Sequence, residues 1–144
     1  MANPYATLAD LTNYGLPASA LGAVTTLQQQ DALDSAAGTV DSYLRGRYQL
    51  PLLSPIPVEI TEATCRVAAW RIMSIRGFNP LAPGDVVVRD AYMDTVAWLN
   101  KVQRQAAHPN VVTADTSGNH NQPTVISSSV AYLNNGGTLP NRGW

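Results

Sequence analysis

Residues 57–77 read PVEITEATCRVAAWRIMSIRG, and beyond its first turns this stretch leaves almost no polar face. Ile60, Val67, Ala68, Trp70, Ile72, Met73 and Ile75 spread apolar side chains around a helix instead of along one stripe, the pattern of a helix enclosed by others. Pro57 suits the first turn, where its missing N–H costs nothing, and Gly77 offers a stop. Glu62 and Arg66 form an i,i+4 pair in the better orientation. The stretch predicts the central helix of a small bundle, from about Pro57 to Arg76.

Two further long helices flank it. Upstream, Leu33, Ala36, Ala37, Val40, Tyr43 and Leu44 recur at steps of three and four, which predicts a helix from about Gln28 to Arg45. Thr26 and Gln29 have capping-box spacing, and Gly46 is the expected stop. Downstream, Val88, Ala91, Tyr92, Thr95, Trp98, Leu99, Val102 and Ala106 make a stripe. They predict a helix with Asp85 as N-cap, running to about Ala107 and ended by His108-Pro109. Trp70 and Trp98 are both expected in one core between the second and third long helices. A short helix at residues 7–14 has Thr7 as N-cap, Asp10 at N3 and Gly15 as a left-handed stop. Residues 15–25 read as a connector. The proline-rich but apolar QLPLLSPIP of residues 49–57 reads as an extended strap packed on the body.

From Asn110 onward the character changes. Residues 110–144 carry only Asp115 and Arg142 as charges and are rich in Ser, Thr, Asn and Gly. Apolar clusters at Val111-Val112, Val125-Ile126 and Val130 through Leu133 interrupt them, followed by the turn signal Asn134-Asn135-Gly136-Gly137. The fold class expected is mainly α: three long helices plus a short N-terminal helix as a body over residues 1–109, and an extended or β-hairpin arm over 110–144. The arm is expected to be loosely held in the free subunit, to order on assembly, and to dock through Val125, Ile126, Val130, Tyr132, Leu133, Leu139 and Trp144.

Composition narrows the function. The 144 residues hold nine Lys+Arg against ten Asp+Glu, a net charge of −1, which excludes a strongly basic protein that gains affinity by neutralising many phosphates. The single Cys65 excludes a disulfide framework within the chain and a multi-cysteine zinc site. No apolar run approaches the ~20 residues that span a bilayer, and no basic stretch followed by an apolar one opens the chain, so a soluble, non-secreted protein is expected. Charged residues make up 13%, against ~25% in a typical soluble domain. Low charge is a property of surfaces buried in assemblies. The distribution is uneven too: residues 1–42 hold four acids and no base, whereas 43–109 hold eight bases and five acids.

The search for chemistry returns little. His108 reads as a helix-end residue, His120 as a loop residue and Cys65 as a small core side chain. No GxGxxG, GxxxxGK[ST], GxSxG or HExxH motif occurs. Arg66, Arg71 and Arg76, spaced by five, scatter around a helix and make no phosphate-tracking stripe. Neither an enzyme nor a metal or cofactor is expected.

One block is distinctive: Val40-Asp41-Ser42-Tyr43-Leu44-Arg45-Gly46-Arg47-Tyr48-Gln49-Leu50-Pro51-Leu52. It resembles the signature of the Mu-like tailed-phage family of head-to-tail connector subunits, also called head-completion or adaptor proteins. Tyr5-Ala6-Thr7-Leu8-Ala9-Asp10-Leu11 resembles that family's opening, and Arg89-Asp90-Ala91-Tyr92 with Trp98-Leu99 its last long helix. The resemblance covers about residues 4–106 and leaves the tail after residue 110 unmatched. It implies a helical bundle that assembles with itself as a ring, usually of twelve copies, beneath the portal protein of a DNA-filled capsid. Such a ring extends the DNA channel and docks the next neck or tail-completion protein, in the virion neck, after assembly in the host bacterial cytoplasm. Genomic DNA would pass without sequence-specific binding, and no membrane is involved. On this reading Asp41, Tyr43, Arg45, Arg47 and Tyr48 are subunit-interface candidates, and Asp31 and Asp34 face the channel while most arginines face neighbours or the portal. The alternatives are a tail-completion or other neck-ring subunit and, further off, a small helical DNA-binding protein.

Overall fold

The computed structural model describes residues 4–112. Its elements are a short α1 (Leu8–Asp10), a π-helical turn (Leu11–Gly15), α2 (Ala18–Leu21), and the long helices α3 (Thr26–Leu44), α4 (Val58–Arg76) and α5 (Pro83–Gln103). The described chain is mainly helical and holds no strand. The arm candidates Val125, Ile126, Val130, Tyr132, Leu133, Leu139 and Trp144 lie outside the described residues.

Helix α4 is central, packing against α3, α5 and the π turn. Ile60, Cys65, Ala68 and Ile72 are fully enclosed, as its all-round apolar sequence requires. Buried Thr64 fits because its hydroxyl donates to the Ile60 carbonyl at 2.8 Å, and Thr95 of α5 does the same to Ala91. Gly77 ends α4 with φ +108°.

The core has two halves, and they fix the helix directions. One joins Leu33 and Ala36 of α3 to Cys65, Ala68, Ile72 and Met73 of α4, with Trp70, Val88 and Tyr92 packed on it. The other joins Val40 and Leu44 to Ile60, Ala63, Leu99 and Val102, with Trp98 against it. Helices α3 and α5 therefore run from the first half to the second, and α4 runs back. The two tryptophans occupy different halves, not the single core expected: antiparallel packing puts the late part of α4 beside the early part of α5. Trp70 stacks on Tyr92 at 5.5 Å and meets Phe78 edge-on.

Helix ends show where local rules compete. At α1, Thr7 and Asp10 make the expected capping box. At α3 the box forms one residue earlier than expected, between Thr25 and Gln28. The tandem pairs Thr25-Thr26 and Gln28-Gln29 offer both registers, and the one adopted lets the Gln29 amide donate to the Val24 carbonyl at 3.0 Å. Asp85 is not the N-cap of α5. Pro83 occupies the first turn after Ala82, and Asp85 sits two residues further in. Helix α5 also stops before Ala107: Gln105 adopts φ +65°, and the Ala106 and Gln105 amides donate back to Lys101 and Val102. This is a Schellman closure with glutamine where glycine is usual. Ala106 is consequently exposed.

The connector and strap are more structured than expected. Residues 15–25 include α2, and Gly15 has no positive φ. Its role is proximity: a Cβ there would lie 2.9 Å from the Cys65 carbonyl oxygen of α4. The strap packs through Leu52, with Leu50 and Ile56 against the same core half, and contains cis peptide bonds at Leu50-Pro51 and Ser54-Pro55. Val111 is buried in that half as well, so the packed body reaches past residue 109.

Candidate assembly surfaces

The block from Asp41 to Tyr48 forms the end of α3 and the turn after it. Arg45 keeps helical angles, its amide donating to the Asp41 carbonyl, and the Arg47 and Tyr48 amides both close on the Leu44 carbonyl. Gly46 does not end the helix by a left-handed turn, since its φ is not positive.

This turn faces inward more than its arginines suggest. Arg47 donates through Nη1 to the carbonyls of Val102 (3.0 Å) and Ala107 (3.2 Å), at the end of α5. Its Nη2 lies 3.1 Å from Nδ1 of His108. A guanidinium only donates, so that imidazole nitrogen accepts and the ring proton belongs on Nε2. One cation thereby adds donors to carbonyls at and just past the end of α5, where the helix dipole places partial negative charge. The Arg47 guanidinium also lies 5.2 Å from the centre of the Tyr48 ring. Tyr48 is buried, its hydroxyl meets no hydrogen-bond partner among the described residues, and burial pushes its ionisation up.

Asp41 is engaged as well. It accepts the Tyr5 hydroxyl proton at 2.5 Å, and the Tyr5 oxygen accepts the Leu52 amide at 3.3 Å. Burial, then the bond to Asp41, pushes Tyr5 up to about 12. The Tyr5 carbonyl accepts from Thr61 of α4 at 2.9 Å. Tyr5 thus ties the N-terminal segment to α3, the strap and α4, a role invisible in its local sequence. Of the five interface candidates, Asp41, Arg47 and Tyr48 are committed to contacts within the chain, Tyr43 is half-buried on the second core half, and Arg45 is exposed.

A second internal latch lies at the other end. Asp85 accepts from Arg76 at 2.7 Å and from the Asn79 amide at 2.9 Å. The Asn79 N–H, with the Arg76 guanidinium beside it, holds the Asp85 carboxyl below the usual carboxylate range against the opposing effect of its burial. Arg66 pairs with Glu62 at 3.6 Å and Arg89 with Asp90 at 3.0 Å. Arg66, Arg71 and Arg76 therefore point to three different settings, as their five-residue spacing predicts.

Among the described residues, two of the surface grooves bear on assembly. The larger, about 600 Å³, opens between α3 and the second half of α4, with Tyr92 on its third side. Val67, Trp70 and Ile75 give it apolar surface, Ser35, Thr39 and Ser74 give it hydroxyls, and Asp31 and Arg71 are its charges. Ile75 is 61% exposed there, although its helix is otherwise the core of the protein. Asp31 is exposed on α3, and half-buried Asp34 accepts from Gln30 at 3.1 Å. The smaller groove, about 300 Å³ between α4 and α5, gathers Glu59, Glu62 and Asp94 around Arg66, with Trp98 beside them. Leu27, Val87 and Met93 are further large apolar side chains left exposed.

Among the described residues, no group of three or more His, Cys, Asp or Glu is placed to hold a metal ion, and no helix is long and apolar enough to cross a membrane. Cys65 is enclosed, and burial, followed by the negative charges of Asp10 and Glu62, pushes its thiol up to about 12.

The family model described as "Bacteriophage Mu, Gp36" matches residues 5–127, which takes in the Tyr5 tie, the Arg47 turn and all three long helices. The chain belongs to the bacteriophage Mu Gp36 family. It is also similar to the "Mu-like prophage FluMu protein gp36" of Haemophilus influenzae (strain ATCC 51907 / DSM 11121 / KW20 / Rd), 36% identical over 73 residues. That match covers 51% of this chain and 46% of the relative, so the chain spans about half the length of the curated protein it matches. Membership makes this Gp36-family chain a phage protein, of structural or morphogenetic type.

Proposed function

We propose that this Gp36-family protein is a head–tail adaptor subunit. Its copies form a ring beneath the capsid portal, extend the DNA channel and dock the next neck or tail-completion component. The observation that carries the reading is membership of a phage family by a body that leaves Leu27, Val87 and Met93 uncovered, and Ile75 uncovered in an open groove. Exposed apolar side chains beside grooves are what subunit and partner contacts bury. Arg45, the exposed member of the Tyr-Leu-Arg-Gly-Arg-Tyr block, is the cation that meets a neighbour there. The acidic outer side of α3, with Asp31 and Asp34, faces the channel, where a surface without phosphate affinity lets DNA pass. No catalytic step belongs to this function.

The test is a phage lysogen lacking this gene, induced and viewed by electron microscopy. DNA-filled heads without attached tails, converted to complete particles by adding the purified protein, are the expected result. Tailed particles of normal infectivity refute the adaptor reading. Complete heads accompanied by tails lacking their head-proximal end instead assign the chain to a tail-completion ring.

A further inference from the structure

We propose that the unassembled subunit pairs with a second copy through the outer face of α5, the two helices running antiparallel and crossing at Ala97. The pair goes beyond the adaptor reading and does not rest on it. Its axis is two-fold, whereas a cyclic ring is built from head-to-tail contacts.

The first argument is which face of α5 is open. Thr95, Leu99 and Val102 turn into the body and are buried. On the opposite side Asp90, Met93, Asp94, Ala97, Lys101 and Arg104 are all exposed. At ~100° per residue they fall within about 60° of Ala97 around the helix. Met93 is a large apolar side chain 59% exposed on this face. Ala97, in the middle, is small enough for a second helix to approach closely.

The second argument is the order of charge. Acids occupy the first half of the face and bases the second, with Asp90 and Arg104 each about 10 Å along the helix from Ala97. Reversing a second helix about Ala97 lays Asp90 opposite Arg104 of the second copy and brings Asp94 near its Lys101. Two-fold symmetry makes each of these contacts twice. Met93 then lies against the apolar stem of the lysine. The groups are available for this. Lys101 and Arg104 make no ion pair among the described residues, and Arg89 donates to Oδ1 of Asp90, so Oδ2 can accept from another cation.

The third is how other arrangements fare. A parallel pair sets Asp90 against Asp90 and Arg104 against Arg104, like charges that repel. The outer face of α3 repeats the spacing with Asp31, Gly38 and Arg45, but it has Asp34 where α5 has Met93 and Ser42 where α5 has Lys101. That face holds two acids to one base and no apolar centre. Antiparallel pairing of α5 answers every charge on its face, and it also opposes the two helix dipoles.

The experiment uses full-length chains at low salt. Sedimentation over a concentration series is expected to show a monomer–dimer equilibrium. Asp90→Arg alone and Arg104→Asp alone each turn two attractions into two repulsions, weakening the dimer by about tenfold. An equimolar mixture of these two variants restores opposite charges at every contact, so mixed dimers form as tightly as the parent's. Both positions are exposed, and unchanged far-ultraviolet circular dichroism shows that the variants fold. Separately, Ala97→Cys is oxidised mildly; the native Cys65 thiol is buried and held protonated, so it does not compete. Its disulfide-linked dimer is expected at least tenfold above the yield from Ser42→Cys, an exposed control on α3. A parent that stays monomeric, variants that pair as the parent does, a mixture that recovers nothing, or an Ala97→Cys yield no higher than the control each overturns the pair. Rings without the Ala97→Cys bond refute the pair and leave the adaptor reading. The bond, in a protein whose deletion still gives normal tailed particles, keeps the pair and refutes that reading.

Discussion

Replacing Gly15 by alanine tests how the N-terminal segment is seated. The added methyl would stand 2.9 Å from the Cys65 carbonyl oxygen, 2.9 Å from Leu11 Cδ1 and 3.4 Å from Ala69 Cβ. Leu11 is fully enclosed, and the oxygen belongs to the backbone of the central helix, so neither contact yields by a side-chain swing. The π turn must lift away from α4, loosening Leu11 and Leu16 on either side of it. Overpacking of this kind costs ~1–3 kcal/mol, which for a body of this size lowers the melting midpoint by about 4–12 °C. Gly38 is the internal control. It lies within α3, a Cβ there meets nothing within 4 Å, and its φ is not positive. Gly38→Ala should therefore stabilise by ~0.5–1 kcal/mol through helix propensity. Thermal unfolding followed by circular dichroism at low protein concentration reads both. A Gly15→Ala variant that melts at or above the parent's midpoint would show that the π turn does not press on α4 at this point.

Three more outcomes follow from the latches. Arg47→Ala should cost ~1–3 kcal/mol, because it strips charge-assisted hydrogen bonds from the end of α5; Arg47→Lys should recover little, having no fork. Hydrogen exchange should place the loss at residues 100–107, and uniform exchange changes would count against the cap. Asp85 has its carboxyl held down in the folded state, so its contribution is present above the ordinary carboxylate range and fades as pH falls through the folded value. Asp85→Asn should therefore reduce stability at pH 7 yet flatten the loss as pH falls below about 4; an acid-unfolding curve parallel to the parent's refutes the latch. Gln105→Gly should raise stability by ~0.5–1 kcal/mol, since φ +65° strains a residue with a Cβ; an unchanged denaturant midpoint would contradict the Schellman closure.

The three long helices were legible because their signals are periodic and local. Helix α4 announces itself by being apolar all round, and Gly77 ends it where glycine is needed. The errors fall where two local solutions coexist, or where a distant partner decides. Thr25-Thr26 and Gln28-Gln29 admit two capping registers, and only the Gln29 contact with Val24 separates them. Asp85 has the spacing of an N-cap, yet Pro83 takes the first turn and Arg76, nine residues back across a loop, takes the carboxylate. Within the block from Asp41 to Tyr48, the local sequence does not show which partners its residues meet. Asp41 is answered by Tyr5 from 36 positions away, and Arg47 by carbonyls 55 and 60 positions away. Spacing along a chain cannot display such pairings. The large groove was missed for a related reason: it exists because α3 and α5 leave the Trp70 face of α4 partly open, a property of how helices diverge.

The uncommitted charges of the described residues bear on whether the body packs against protein or holds DNA. Arg47, Arg66, Arg76 and Arg89 have partners within the body, whereas Arg45, Arg71, Lys101 and Arg104 make no ion pair among the described residues. Three of these four sit where α3 and α5 finish, the ends at which helix dipoles place partial negative charge. Part of their field is thus offset before any ligand arrives. A duplex binder that relies on phosphate neutralisation commonly makes about 6–10 such contacts. Three exposed cations at one end, with Glu59 at that same end and Asp31, Asp34 and Asp94 elsewhere on the same small body, fall short of that number. The same cations are enough to orient a neighbour's carboxylates across an interface, where one or two well-placed pairs set register and the apolar contacts beside them supply affinity. A single subunit is therefore expected to show weak, salt-sensitive affinity for duplex DNA, and on the proposed ring reading its copies would stay associated in salt through apolar contacts.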